Sequence, residues 1–224
     1  MASLSVENYV KVIYSISARK GDPQEAVATG EIAAALRITP GAVTSMLKTL
    51  SESRLATYTP YEGVRLTEPG RKLALVVLRR HRLIELFLSE TLRMSWDEVH
   101  EEAEHLEHAV SDRLIERIDA YLKHPQADPH GDPIPRADGT MPDPVGAPLA
   151  EMTPGQRFQV VRVVDQDPAF LRYLTDCGID IGAIGALAPK RPESGAFLVT
   201  IGRNPVALGL EEARKLLVVA VDYN

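Results

Sequence analysis

Apolar positions recur at helical spacing through the first half of the chain and in short strand-like runs through the last third, with a proline-rich interval between the two. Val6, Tyr9, Val10, Ile13 and Ile16 predict an amphipathic helix over residues 5–19, capped by Ser5 and ended by Gly21-Asp22-Pro23. Residues 29–36 predict a short second helix. Arg37-Ile38-Thr39-Pro40-Gly41 reads as a tight turn, and residues 42–50 as a third helix with Val43, Met46, Leu47 and Leu50 on one face. Two short helices joined by such a turn form the helix-turn-helix pattern, which any small helical hairpin also satisfies. The next segment of the chain separates the two. Leu55–Tyr58 and Val64–Leu66 are β-like runs around the turn residues Thr59-Pro60-Tyr61-Glu62-Gly63, and a β-hairpin placed there makes a winged helix-turn-helix.

Pro69-Gly70 precedes a long helix, Arg71 to about Leu92, interrupted by the basic patch Arg79-Arg80-His81-Arg82. Ser95 and Glu98 read as N-cap and capping-box partner of a further helix running through His108. Ser111 caps another, from Asp112 to about Leu122, with Leu114, Ile115 and Ile118 on one face. The apolar positions on these three helices exceed what one copy would bury, so a second subunit is the expected partner. Residues 124–148 hold Pro125, Pro129, Pro133, Pro135, Pro142, Pro144 and Pro148, which break helix and sheet alike. The stretch reads as a linker, with His124 and His130 as exposed loop residues. Beyond it, runs at 158–164, 183–187, 196–201, 205–208 and 217–221 around a helical insert at 170–174 predict a small closed β-barrel. The expected organisation is a DNA-binding domain over 1–72, a helical domain over 73–123, a linker over 124–150 and the barrel over 151–224.

At 224 residues and 45% hydrophobic, the chain can bury the cores of two domains. No run approaches the roughly 20 apolar residues of a membrane span, so no membrane partner is expected and the cytoplasm is the default. The single cysteine, Cys177, excludes an intrachain disulfide and a thiolate zinc cluster. The net charge of −6 is unevenly spread. Residues 1–75 carry nine basic and seven acidic side chains, residues 76–150 eight and fifteen, and residues 151–224 eight and nine. The acid therefore concentrates in the middle of the chain, as a divalent-cation site or a solvated helix requires.

Within that middle region His100, Glu104, Glu107 and His108 stand at i, i+4, i+7 and i+8, one face of a helix composed entirely of metal-ligand types. A solvated acidic helix has the same look, but His81 and Glu85 repeat the pairing at i, i+4 on the preceding helix. A metallohydrolase fails on spacing: four residues after His100 stands Glu104 rather than histidine, and His105-Leu106-Glu107-His108 is one residue short of the inverted motif. No small organic substrate is implied. In the winged unit the third helix presents Thr39, Gly41, Ala42, Thr44 and Ser45 to base edges, with Lys48 one turn on. Small side chains reach thymine methyls and phosphates but form no bidentate base pairs, so sequence reading is modest and partly indirect. Lys48, Tyr58, Tyr61 and Arg65 suit phosphates, although packing under the wing suits either tyrosine equally.

These elements, in this order, resemble the metal-dependent transcription regulators of the diphtheria toxin repressor and manganese transport regulator type. The resemblance is carried by Asn8-Tyr9 with Ile13-Tyr14, Val43-Thr44-Ser45-Met46, Leu66-Thr67-Glu68-Pro69-Gly70-Arg71, Arg80-His81-Arg82-Leu83 with Glu85, residues 99–111, and Gly131-Asp132-Pro133-Ile134-Pro135. It implies a homodimeric repressor that binds double-stranded operator DNA with a divalent cation as corepressor, and an SH3-like barrel at the C-terminus. Its primary site maps to Asn8, Glu104, Glu107 and His108. Its ancillary site maps to His81, Glu85 and His100, completed from the barrel by Asp167 or, failing that, Asp165. Glu104 stands where the iron-responsive branch has cysteine. Hard oxygen there favours Mn2+, with Fe2+ as the alternative and Zn2+ or Co2+ as substitutes in vitro. Asn8 stands where manganese-responsive members usually have aspartate, and brings a hard oxygen without charge.

Overall fold

The computed structural model describes residues 4–22, 24–188 and 196–221, which divide into two compact units. The first takes residues from 1–80 and 135–141, the second from 81–134 and 142–224.

In the first unit α1 (Leu4–Arg19), α2 (Thr29–Leu36) and α3 (Pro40–Glu52) precede the hairpin of β1 (Ala56–Thr59) and β2 (Gly63–Leu66), and α4 (Glu68–Leu92) begins. This is the winged helix-turn-helix that the apolar spacing predicts; Pro23, expected to end α1, lies outside the described residues. Val10 and Ile13 of α1 are buried with Ile32, Val43, Leu47, Leu50 and Val64 in one core. Each such side chain contributes about 1.5–3 kcal/mol by leaving water. Thr39 caps α3 by accepting from the Ala42 N–H at 3.4 Å, and Pro40 occupies the first turn, where its missing N–H costs nothing. Val27 and Val64 exchange backbone hydrogen bonds of 2.9 Å, which ties the wing to the segment between α1 and α2.

The second unit holds the rest of α4, α5 (Val99–Leu106), α6 (Asp112–Tyr121) and a sheet. Ser95 is not the N-cap of α5, a place Glu98 takes: its hydroxyl and N–H both donate to the Glu98 carboxylate, at 2.6 and 3.2 Å, while its carbonyl accepts from the Val99 N–H at 3.2 Å. Ile115 and Ile118 are buried, whereas Leu114, expected beside them, is exposed. The sheet comprises β3 (Ala147–Pro148), β4 (Arg157–Val163), β5 (Ile184–Leu187), β6 (Phe197–Ile201), β7 (Asn204–Leu208) and β8 (Leu216–Ala220), with α7 (Pro168–Asp176) and α8 (Leu210–Lys215) inserted. Its antiparallel order is β3-β8-β4-β5-β6-β7. The expected closed, all-β barrel is thus an open six-stranded sheet with two helices, whose ends β3 and β7 do not pair among the described residues. A two-residue strand such as β3 is too short to show alternation, and α8 is six residues long.

Residues 124–146 also differ from the slack linker expected. Ile134 is buried in the helical core, and Asp128, His130 and Asp132 are buried with it. Prolines exclude regular structure here, but side chains replace it: Asp128 Oδ1 accepts from the N–H groups of His130 and Asp132 at 2.8 and 2.9 Å. The basic patch of α4 holds the loop, because Arg79 donates to the Pro135 carbonyl at 3.0 Å and Arg82 to that of Pro133. The loop passes directly over β4. Gly131 has φ +83°, and a Cβ there would lie 2.0 Å from the Val161 carbonyl oxygen. Gly131→Ala is therefore expected to destabilise the second unit by more than ~1 kcal/mol, since both the backbone conformation and the close approach exclude a side chain. Urea unfolding followed by circular dichroism measures this, and an unchanged midpoint would contradict the tight seating of the loop.

Candidate metal centre and nucleic-acid interface

Helical spacing sets out the first donors. One turn of α4 separates His81 from Glu85, whose Oε1 lies 2.9 Å from His81 Nε2. Across from them α5 carries His100, whose Nδ1 is 3.1 Å from both Glu85 Oε1 and His81 Nε2. The turn after α5 carries Glu107, whose Oε2 is 2.6 Å from His81 Nδ1, and His108, whose Nε2 is 3.1 Å from Glu107 Oε1. Glu104 Oε1 stands 3.9 Å from both His81 Nδ1 and His100 Nε2. The two sets expected to be separate therefore meet at His81, which faces one with each ring nitrogen. Glu85 and Glu107 are fully buried, while His100 and Glu104 reach solvent.

A third group was missed in the sequence. Glu85, Asp128 and His130 are all buried and offer ligand atoms within 4.8 Å of one another, as do His81-Glu85-His100 and His81-Glu104-Glu107. His130 is not the exposed loop residue expected, because the folded loop carries it beneath Trp96, whose ring stacks on it at 6.1 Å between centroids. The Trp96 carbonyl lies 2.7 Å from His130 Nε2 and can only accept, so Nε2 holds the proton and a neutral ring leaves Nδ1 with a lone pair. That Nδ1 lies 4.0 Å from Glu85 Oε2 and 3.9 Å from Asp128 Oδ1. Glu85 Oε2, Asp128 Oδ2 and His130 Nδ1 have no hydrogen-bond partner among the described residues. Two buried carboxylates and an imidazole nitrogen, offering ligand atoms within 4.8 Å of one another, fit a divalent cation of oxygen and nitrogen preference. The sequence signal was Asp128-Pro129-His130-Gly131-Asp132, two acids and a histidine about a glycine that needs a positive φ.

Electrostatics point the same way. Burial works against ionisation of Glu85, but the charge of His81, the hydrogen bonds of His100 and His81 and the proximity of His130 outweigh it and hold its carboxyl well below the usual range. Burial, with the carboxylates of Asp132 and Glu85 alongside, pushes the Asp128 carboxyl well above it. Arg82 lies 3.6 Å from Asp128 Oδ2 and offsets only part of this.

The structure does not bring Asp167 into any of these groups. Its Oδ1 caps α7, accepting from the N–H groups of Ala169 and Phe170 at 3.0 and 3.2 Å. The alternative, Asp165, pairs with Lys215 at 2.7 Å. Asn8 is half-buried on α1 in the first unit.

On α3, Gly41, Ala42, Ser45 and Lys48 are exposed, as the base-reading assignment requires, and Arg65 is exposed on β2. Thr39 is the N-cap, and the Thr44 hydroxyl donates to the Pro40 carbonyl at 3.0 Å. Tyr58 packs partly buried against the core, whereas Tyr61 is fully exposed.

Comparison with known proteins agrees with this arrangement. Patterns for the iron-dependent repressor match its N-terminal DNA-binding domain to residues 1–64 and its metal-binding and dimerisation domain to residues 67–136; a FeoA domain matches 147–220. The chain is 30% identical over 230 residues to the iron-dependent repressor IdeR of Mycobacterium tuberculosis, covering 97% of each. It is 32% identical over 128 residues to the regulator MntR of Geobacillus kaustophilus, covering 57% of this chain and 87% of that one. A solved manganese-dependent transcriptional repressor in complex with manganese superposes with a TM-score of 0.85 at 39% identity, over 96% of this chain and 100% of that one.

Asp128→Asn separates stability from ligation. The Asp128 carboxyl is raised in the folded state, so its favourable contribution is present below the unfolded value and lost as pH rises through the folded one. In chelator-treated protein Asp128→Asn should thus raise the melting temperature at neutral pH, with the gain disappearing in acid, while weakening cation binding. A melting temperature lowered at neutral pH would show that Asp128 is not held against its charge.

Proposed function

The chain belongs to the family of metal-dependent transcriptional repressors that includes the iron-dependent and diphtheria toxin repressors, and from that premise we propose that it is a manganese-responsive repressor. The family consists of DNA-binding regulators rather than enzymes. The observation that carries the manganese reading is the donor set. His81, Glu85, His100, Glu104, Glu107, Asp128 and His130 supply carboxylate and imidazole and no sulfur, and Cys177 belongs to the α7 end of the sheet instead. Hard oxygen donors suit manganese, whereas thiolate favours softer metals.

A bound divalent cation would supply the positive charge that the carboxylates of Glu85, Glu104, Glu107 and Asp128 lack. His81, Glu85 and His100 would hold one such ion with Asp128 and His130 close behind. Glu104, Glu107 and His108 would hold another, with His81 touching both sets. Asn8 is retained as a further ligand on the strength of the family resemblance, and Asn8→Ala should then raise the manganese concentration needed for half-saturation. Asp128 and His130 replace Asp167 in this reading. The C-terminal sheet acts by bracing their loop: Val163 donates from its backbone to the His130 carbonyl at 2.8 Å, and Arg162 and Gln166 hold the Asp132 carboxylate.

The partners proposed are double-stranded operator DNA, bound in the cytoplasm, and a second copy of the chain. Leu106, Leu114 and Tyr121, exposed on α5 and α6 within the region that matches a dimerisation domain, support the second copy.

The test is a selection from a random duplex library with excess manganese, followed by titration of the selected duplex. Manganese should tighten binding roughly 5- to 150-fold over chelator-treated protein. Equal binding with and without metal would defeat the corepressor role, and activation by ferrous iron but not manganese would assign the iron-responsive alternative. Glu104→Cys should move the response toward iron, cobalt or zinc by exchanging a hard donor for a soft one at the same position. An unchanged order of metals would remove Glu104 from the ligand set.

A further inference from the structure

Six residues other than glycine have positive φ among the described residues: Arg37, Arg54, Tyr61, Arg93, Lys123 and His124. Five of them follow helix ends. Arg37 is the C-cap of α2, and Arg54, Arg93, Lys123 and His124 come one to three residues after α3, α4 and α6. There a left-handed residue closes the last turn, and basic side chains suit the negative end of the helix dipole. Tyr61 has no such explanation.

Tyr61 sits in the wing, in a turn closed by a 3.1 Å hydrogen bond from the Glu62 N–H to the Thr59 carbonyl. Pro60 occupies the second position of that turn and Tyr61, at φ +70°, the third. Proline followed by positive φ is the type II pattern, whose third position belongs to glycine or asparagine. An aromatic residue there is disfavoured by the backbone. Packing does not compensate, since Tyr61 is 107% exposed and its side chain makes no hydrogen bond or ring contact among the described residues. Tyr58, three residues earlier on β1, is the tyrosine that packs under the wing. A strained backbone that holds an unsupported aromatic ring out from a turn marks a contact made with something else.

We propose that Tyr61 is a DNA-backbone contact, its phenolic hydroxyl donating to a phosphate oxygen when α3 is seated in the major groove. This deepens the DNA-binding reading above and rests on it. The occupant follows from the unit. The wing directly follows the reading helix, Arg65 stands exposed on the next strand, and the small side chains of α3 leave affinity to sequence-independent contacts. Tyrosine suits that task because a stiff side chain with two torsions carries a polar handle at its end.

The probe is a short mixed-sequence duplex, bound by the full chain in excess manganese at several salt concentrations, beside thermal unfolding of the same proteins. Tyr61→Gly should melt no lower than the parent, and higher to the extent that positive φ is relieved. It should bind the duplex on the order of tenfold more weakly per site, the worth of one hydrogen bond to a charged acceptor. Tyr61→Phe should weaken binding by a similar factor, and the salt slope should stay at the parent's value because a neutral donor releases no counterion. A lowered melting temperature for Tyr61→Gly would make the residue structural and overturn the proposal. So would parental affinity in Tyr61→Gly or Tyr61→Phe. A parent chain that binds no duplex with manganese defeats the regulator reading and this contact together, whereas a binding parent with indifferent variants defeats the contact alone.

Discussion

The second unit depends on keeping the carboxylates of Glu85, Glu107, Asp128 and Asp132 out of water. An ionised carboxylate buried alone costs several kcal/mol, so each must find positive charge or shed its own. His81 serves Glu85 and Glu107 from its two nitrogens, and Arg82 and Arg162 serve Asp132. Asp128 has Arg82 at 3.6 Å, shared with Asp132, against two neighbouring acids. The local cost therefore falls on Asp128. A fold optimised for stability alone would place an arginine or an apolar side chain there.

The sheet takes its place from the same requirement. A loop rich in proline has few backbone donors to fix itself, so its conformation is borrowed from both sides. Asp128 turns it internally, Arg79 and Arg82 hold its carbonyls from α4, and β4 contacts it at Gly131 and through Val163 and Arg162. On the other side of the sheet unit, Trp96 donates to Thr175 at 2.9 Å and Arg172 pairs with Asp97 at 2.9 Å. The C-terminal sheet is thus joined to the metal-ligand cluster without contributing a carboxylate of its own to it.

Much of this was legible in the chain because its periodicities are local. The i, i+4 rule placed His81 by Glu85 and His100 by Glu104, and turn chemistry found the wing from Pro60 and Gly63. What was not read from the chain was of two kinds. His130 and Asp128 reach Glu85 across more than forty residues through an irregular loop, and no spacing rule reports such a meeting. The capping role of Asp167 was available locally: an aspartate directly before a proline at a helix start is an N-cap followed by a first-turn proline, and a capping carboxylate is already engaged. That the primary and ancillary donors adjoin was not legible, because sequence assigns a histidine to one set, whereas His81 offers two nitrogens in opposite directions.

Among the described residues local rules are mostly kept, and two departures find no reason in packing. Cores are apolar, α3, α6 and α7 are capped by side chains, and the left-handed residues after helices have their ordinary cause. The departures are Tyr61, strained and fully exposed in the first unit, and the orphaned atoms of Glu85, Asp128 and His130, buried without donors in the second. One is an excess of exposed apolar surface with a hydrogen-bonding tip, the other an excess of buried negative charge and lone pairs. Each is corrected by a ligand of the opposite character: a polyanion that accepts hydrogen bonds outside, and a small hard cation inside. A protein whose local costs are relieved by those two ligands has the chemistry of a cation-dependent DNA binder written into its least stable contacts.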